Sequence, residues 1–213
     1  MNFGRAFSYV FQDREWFKKI LLIAVISLIP VIGQMVAMGF ALEIMKRVIN
    51  NDPETLPALN FGGFLGKGFQ AFIVSFVYAI PLFIFVFPTQ IPTFLAGSLD
   101  SEIVTYLTIG LGCICGGLAF IYAILMMFMI PAAYAQLVVG GSLGAAFQFG
   151  KVFGLVKKAP VAYLVAILGN AVGSFIAPFG AIACGIGVFF TLAYSFAIMG
   201  HFYGQAYNVA VSK

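Results

Sequence analysis

Long apolar stretches at 16–29, 31–49, 67–87, 103–130, 159–177 and 181–205 leave this chain little choice of solvent. Between them fall Pro30 to Gly33, Pro88-Thr89-Gln90-Ile91-Pro92, Pro131, and Pro178 to Gly180. Proline together with glycine is the strongest local stop signal. The pattern predicts an all-α polytopic membrane protein with six membrane-embedded helices arranged as three hairpins. Composition agrees: 62% of the 213 residues are hydrophobic and 8% charged, more apolar surface than a soluble domain of this length can hide. In lipid every backbone polar group must find its partner within the protein, which helices achieve by themselves. The length suits a single membrane domain over 1–213 with little left for an extramembrane module.

The first hairpin is short. Its uninterrupted apolar run, Ile20 to Ile29, has ten residues, about 15 Å of helix against a hydrocarbon core of about 30 Å. Either Trp16, Phe17 and snorkelling lysines extend it, or it dips in and returns without crossing. In both cases the chain comes back to the side it started from.

Arg5, Arg14, Lys18 and Lys19 precede that hairpin, and Lys46, Arg47 and Lys67 separate it from the second. Lys151, Lys157 and Lys158 separate the second from the third, and Lys213 is the last residue; these are all eleven basic residues. A six-helix topology puts every one on the same side, with Asp100 and Glu102 opposite. The positive-inside rule then predicts cytoplasmic amino and carboxyl ends. Trp16 beside Lys18 and Lys19 is the pairing expected where a ring and ammonium groups meet lipid headgroups. The formal charge of +4 is spread in pairs beside apolar runs, unlike a phosphate-tracking surface, and this argues against nucleic acid. No cleavable signal peptide is expected, because Asp13 and Glu15 precede the first run and no small-x-small site follows it cleanly.

A similar prelude comes before each hairpin. Asn2-Phe3-Gly4, Asn60-Phe61-Gly62 and Ser142-Leu143-Gly144 each set a capping residue before an apolar residue and a glycine. Phe3, Ala6, Phe7, Val10 and Phe11 then recur with helical spacing, as do Phe61, Phe64, Leu65, Gly68 and Phe69. The third prelude has Leu143, Ala146, Phe147 and Gly150, with Phe153 and Lys157-Lys158 following. These segments predict short amphipathic interfacial helices on the cytoplasmic leaflet, with Phe3, Phe7, Phe147 and Phe153 on their apolar faces. The alternative is that they are the ends of long membrane helices, most seriously for the second, which enters its span without a break. The chain reads as repeat-like modules over 1–50, 59–130 and 142–207.

Candidate chemistry is sparse. Coupled transport needs ionisable groups at membrane depth, and the middle of no run carries one. Glu43 comes closest, but Lys46 and Arg47 lie three and four residues on and predict an interfacial pair. Paired carboxylates, a nucleophile with its base and a metal-ligand cluster are not apparent, so no enzyme, metal or cofactor is expected. His201, the one histidine, sits in Gly200-His201-Phe202-Tyr203-Gly204. It is a weak candidate ligand for a haem or chlorin, set against a hydrogen-bonded residue at a close helix crossing. Cys113, Cys115 and Cys184 read as small buried packing residues, with a bridge from Cys184 left open. The pairs Gly112/Gly116, Gly169/Gly173 and Gly200/Gly204 each form G-x-x-x-G, extended by Ala181/Gly185 and Ala183/Gly187; such pairs let helix backbones approach.

Several stretches together resemble an uncharacterised prokaryotic membrane family, DUF4013. They include Phe11-Gln12-Asp13-Arg14-Glu15-Trp16-Phe17-Lys18-Lys19, Leu28-Ile29-Pro30-Val31-Ile32-Gly33, Lys46-Arg47-Val48 and Leu56-Pro57. Tyr78-Ala79-Ile80-Pro81, Pro131-Ala132-Ala133, Ala145-Ala146-Phe147 and Gly200-His201-Phe202-Tyr203-Gly204-Gln205-Ala206-Tyr207 extend the likeness over nearly the whole chain. The resemblance implies a prokaryotic cytoplasmic membrane protein and brings no activity with it.

The expected function is that of a non-enzymatic membrane-organising scaffold or accessory subunit. Its partners would be the bilayer, further copies of itself, or a larger membrane complex. The alternative is a passive channel or carrier for a small neutral or apolar solute, lined by Asn, Ser, Thr and Tyr.

Overall fold

The computed structural model describes residues 1–52, 56–96, 102–182 and 187–213. Asp100, Ala183, Cys184 and Gly185 lie outside the described residues, as do the side chains of Thr93 and Ala181. Among the described residues the structure is helical, with no strand. In order come α1 (Phe3–Ser8), a 3₁₀ turn (Tyr9–Gln12), α2 (Trp16–Ile26), α3 (Ile32–Asn50), α4 (Phe61–Ala96) and α5 (Glu102–Gly140). Then follow α6 (Leu143–Ala146), α7 (Phe149–Lys158), α8 (Pro160–Ile176), a second 3₁₀ stretch (Ala177–Ile182) and α9 (Gly187–Val211).

Three helical stretches among the described residues, not six, are long and apolar enough to cross a membrane: Phe61–Ile91, Glu102–Gly140 and Pro160–Gly180. The other three candidate spans fall short for separate reasons. Helix α2 has only 11 residues, and α3 carries Glu43, Lys46 and Arg47 in its second half. Helix α9 holds His201, Gln205 and Asn208 and buries much of its surface, Ala193 to Ala210, within the protein.

The prolines misled the sequence reading. Pro88 and Pro92 lie within α4, a single helix of 36 residues, and Pro131 lies within α5, of 39 residues. A proline removes one backbone hydrogen bond, and in an apolar segment without competing water the neighbouring bonds hold the helix together. Pro30 and the Pro178 region behave as expected, at a tight turn and in a 3₁₀ stretch. At the first of these, Ile32 N–H donates to Pro30 C=O at 2.7 Å across Val31, whose φ is 65°. That is the rarer, strained hand of γ-turn, imposed here on a β-branched residue.

The caps account for two of the three preludes. Asn2 Oδ1 accepts from Arg5 N–H and Asn60 Oδ1 from Gly63 N–H, each at 3.0 Å, so α1 and α4 begin where the sequence says. Ser142 makes no side-chain cap. The second prelude is simply the first turns of α4, while the first and third are separate short helices.

The chain divides into two compact units, Met1–Val74 with Pro131–Lys213, and Ser75–Ile130. In the smaller, Tyr122 Oη donates to Tyr78 C=O at 2.7 Å, while Phe83, Phe87, Phe120 and Ile121 are exposed, as lipid-facing side chains are. The larger unit is organised around α9, which α1, α2, α3, α7 and α8 all contact. Glycines set the crossings. A Cβ at Gly169 would strike the Phe202 ring, one at Gly173 would crowd Ile198, and one at Gly180 would strike Gly187, so α8 and α9 run antiparallel. Gly200 lies against the Ala41 backbone and Gly204 against Met45 and Val48, so α3 runs parallel to α9. Gly39 meets the Phe64 backbone and Gly68 the Met35 backbone, so α4 starts antiparallel to α3. The carboxyl ends of α3 and α9 and the amino ends of α4 and α8 therefore share one end of this unit.

Candidate functional site

At that shared end lies a polar cavity of about 690 Å³. Its walls come from Asn2 and Arg5 of the first segment, Asn51 and Asp52 after α3, and Gln205 and Asn208 of α9, with His201 at its inner side. Helical spacing stacks His201, Gln205 and Asn208 on one face of α9. The hydrogen bonds tie three segments together. Asn2 N–H donates to Gln205 Oε1 at 2.7 Å, Gln205 Nε2 donates to Asn2 C=O at 3.1 Å, and Asn208 Nδ2 donates to Val48 C=O at 2.9 Å. Gln205 Nε2 also lies 2.8 Å from His201 Nδ1. An amide nitrogen can only donate, which assigns the proton of a neutral His201 to Nε2. The imidazole is 1% exposed and stacks on Tyr9, with ring centroids 4.4 Å apart. The flanking glycines that would have let a macrocycle approach are taken up by α3, through Ala41, Met45 and Val48. His201 thus sits at a close helix crossing, held by hydrogen bonding and stacking.

Beside it is an ionic knot absent from the sequence reading. Asp13 is 5% exposed, and its Oδ2 accepts from Lys19 Nζ at 2.7 Å and from Leu56 N–H at 2.8 Å. Glu15 N–H donates to Oδ1 at 2.8 Å, and Lys19 Nζ also reaches Leu56 C=O at 2.8 Å. Burial pushes the Asp13 carboxyl up, but its bonds to Lys19, Glu15 and Leu56 and the Lys19 charge outweigh this and hold it below its ordinary value. Lys19 is thus turned inward, not out to the headgroups. Lys18 stays exposed near Glu15, at 4.0 Å. Trp16 is half-buried and packs edge-on to Phe11, Phe17 and Phe190.

An ion pair of Glu43 runs to Lys67 across the α3–α4 crossing, while Lys46, one of the two expected partners, lines a second cavity. Phe3 and Phe7 rest on Phe202, with centroids 5.1 and 5.6 Å apart, so much of their apolar surface faces protein. Tyr9 Oη donates to Ala197 C=O and Tyr194 Oη to Phe7 C=O, at 3.0 and 2.8 Å, completing the dock of the first segment on α9. On α7, Val152 and Leu155 are buried, Phe149 and Phe153 are exposed, and Lys157 and Lys158 end the helix; Phe147, just before it, is half-buried. At Gly112 and Gly116 an added Cβ would meet nothing within 4 Å, so no neighbour packs on that pair among the described residues. Cys113 is exposed and Cys115 partly so, both free thiols, a correction to their reading as buried packing residues. Among the described residues no group of three His, Cys, Asp or Glu side chains is placed to hold a metal ion.

Residues 22–202 match the model of a family described as "Protein of unknown function (DUF4013)". No curated protein and no solved structure matches the chain.

Proposed function

The chain belongs to the DUF4013 family, and from that premise we propose that it is a non-enzymatic multi-pass protein of a prokaryotic cytoplasmic membrane, one that organises the bilayer by self-association or as an accessory subunit of a larger complex. The observation that carries this reading is how the polar side chains of the apolar helices are spent. Thr191 Oγ1 donates to the Gly187 and Val188 carbonyls of its own helix at 3.1 and 3.0 Å, and Ser195 Oγ donates across to Gly173 C=O of α8 at 2.5 Å, with Thr191 C=O at 2.9 Å. Hydroxyls closed on backbone carbonyls offer a passing solute no polar path, while Phe83, Phe87, Phe120, Phe149 and Phe153 stand exposed for lipid or a partner helix.

The basic end of the larger unit, with both chain termini, faces the cytoplasm in this proposal; α9, antiparallel to α8, brings the chain back across the bilayer with its polar residues sheltered by the helices around it. Helix α7 lies in the headgroup plane there, Phe149 and Phe153 toward the acyl chains and Lys157 and Lys158, in its last turn, snorkelling to the headgroups. The α2–α3 turn, with Leu28, Ile29, Val31 and Ile32 exposed, ends within the bilayer. From Lys46 back to Ile32 the helix spans about 21 Å, short of a core of about 30 Å. Reconstitution into liposomes tests the reading. The chain should change vesicle size or curvature in electron micrographs, and joint replacement of Phe149 and Phe153 by Ser should weaken that effect, with up to a few kcal/mol of burial lost per ring. Vesicles indistinguishable from protein-free controls, at a protein density where the chain is fully inserted, would remove the proposal.

A further inference from the structure

We infer that the notch between α3, the start of α4 and the end of α5 seats the phosphate-bearing headgroup of an anionic phospholipid, a role beyond the scaffold reading and independent of it. The cavity has about 390 Å³, within the range that small-ligand sites occupy. Its lining is divided by chemistry. Lys46, Lys67 and Gln70 supply the polar side, and Leu42, Leu137 and Val138 the apolar side. That is the division a headgroup with its first acyl carbons requires.

Charge and depth agree with this occupant. Two cations, Lys46 and Lys67, line the notch and no carboxylate does among the described residues; Glu43 lines the neighbouring cavity that shares Lys67. Lys67 is paired with Glu43, whereas Lys46 has no ion-pair partner among the described residues. A phosphodiester would give it one. The notch opens where the span Phe61–Ile91 begins and Glu102–Gly140 ends, which is headgroup level for both. Basic pockets between membrane helices on the cytoplasmic side are suited to anionic lipid. Gly62, Gly66 and Gly141 also line it, and a Cβ at any of them would meet nothing within 4 Å. Unlike Gly39 and Gly68, these glycines leave open space instead of admitting a neighbouring helix.

That openness gives a clean test. Gly66→Met fills the notch without striking the fold, and Lys46→Gln removes the unpaired charge; circular dichroism checks that each remains helical. The full chain is placed in nanodiscs of mixed phosphatidylglycerol and phosphatidylcholine, and the lipids it retains are counted by native mass spectrometry. Phosphatidylglycerol should be retained in preference. Lys46→Gln should lower its retention about fivefold, the effect of one basic residue near an anionic surface. Gly66→Met should lower it at least as far, and the Lys157→Gln/Lys158→Gln double variant, which removes two headgroup-level charges outside the notch, should lower it less than Lys46→Gln alone. Equal retention of the two lipids overturns the assignment, as does unchanged retention in Lys46→Gln. Displacement of the lipid by an equal concentration of glycerol phosphate overturns it in favour of a soluble anion. Should Gly66→Met lose its helicity, Lys46→Gln decides alone.

Discussion

Asn2 and Gln205 clasp each other in both directions, N–H to Oε1 at 2.7 Å and Nε2 to C=O at 3.1 Å, across a sequence separation of 203 residues. The clasp holds α1 on α9 and gives His201 Nδ1 its bond. Gln205→Leu would break it while keeping the side chain's bulk. The expected loss is about 1–2 kcal/mol, from two exposed hydrogen bonds of modest net worth and the buried His201 Nδ1 left without its Gln205 donor, read as a lower midpoint of thermal unfolding in mild detergent.

Asp13 makes stability depend on acid. Its folded-state pKa lies below the ordinary value, so its contribution is complete above the unfolded value of about 3.9. It is lost as pH falls from there through the lower folded-state pKa. Unfolding midpoints measured from pH 6 downward should fall in that acid window for the native chain and fall less steeply for Asp13→Asn. The variant should be less stable at pH 7 by about 3 kcal/mol, because Lys19 is left without its buried partner.

The glycines divide into two classes that mutation should separate. Gly39→Ala and Gly200→Ala drive a methyl into the Phe64 and Ala41 backbones, and such overpacking costs about 1–3 kcal/mol. Gly112→Ala and Gly116→Ala meet open space and should be neutral or gain up to about 1 kcal/mol of helix propensity. Unfolding of the purified variants in one detergent ranks them.

Much of this was readable in the chain. The helical class, the Asn2 and Asn60 caps and the proximity of Gly169, Gly173, Gly200 and Gly204 to a neighbouring helix all follow from local rules of spacing and capping. The Asp13–Lys19 pair was not readable, because the backbone of Leu56, 43 positions from Asp13, completes it by bonding both side chains. The same holds for Gly39 and Gly68, which have no G-x-x-x-G partner and meet a helix the sequence cannot place. Pro88, Pro92 and Pro131 misled because a stop rule drawn from water-exposed chains was applied to segments that lipid holds helical.

Thiol labelling checks the proposed topology. In a background without native cysteines, Ser8→Cys and Asn51→Cys should react with a membrane-impermeant reagent only after lysis, and Glu102→Cys from outside intact cells. Ile32→Cys should stay unlabelled from outside, since the α2–α3 turn stops within the bilayer; free labelling there would show a full crossing.

The choice between scaffold and channel turns on neutral-solute leakage from liposomes holding the native chain, compared with Thr191→Val, Asn170→Leu and Gln34→Leu. The expected result is leakage at the level of protein-free vesicles for all four, accompanied by altered vesicle shape. Leakage above that level, abolished by these substitutions in vesicles of unchanged shape, would contradict the scaffold account and establish the channel.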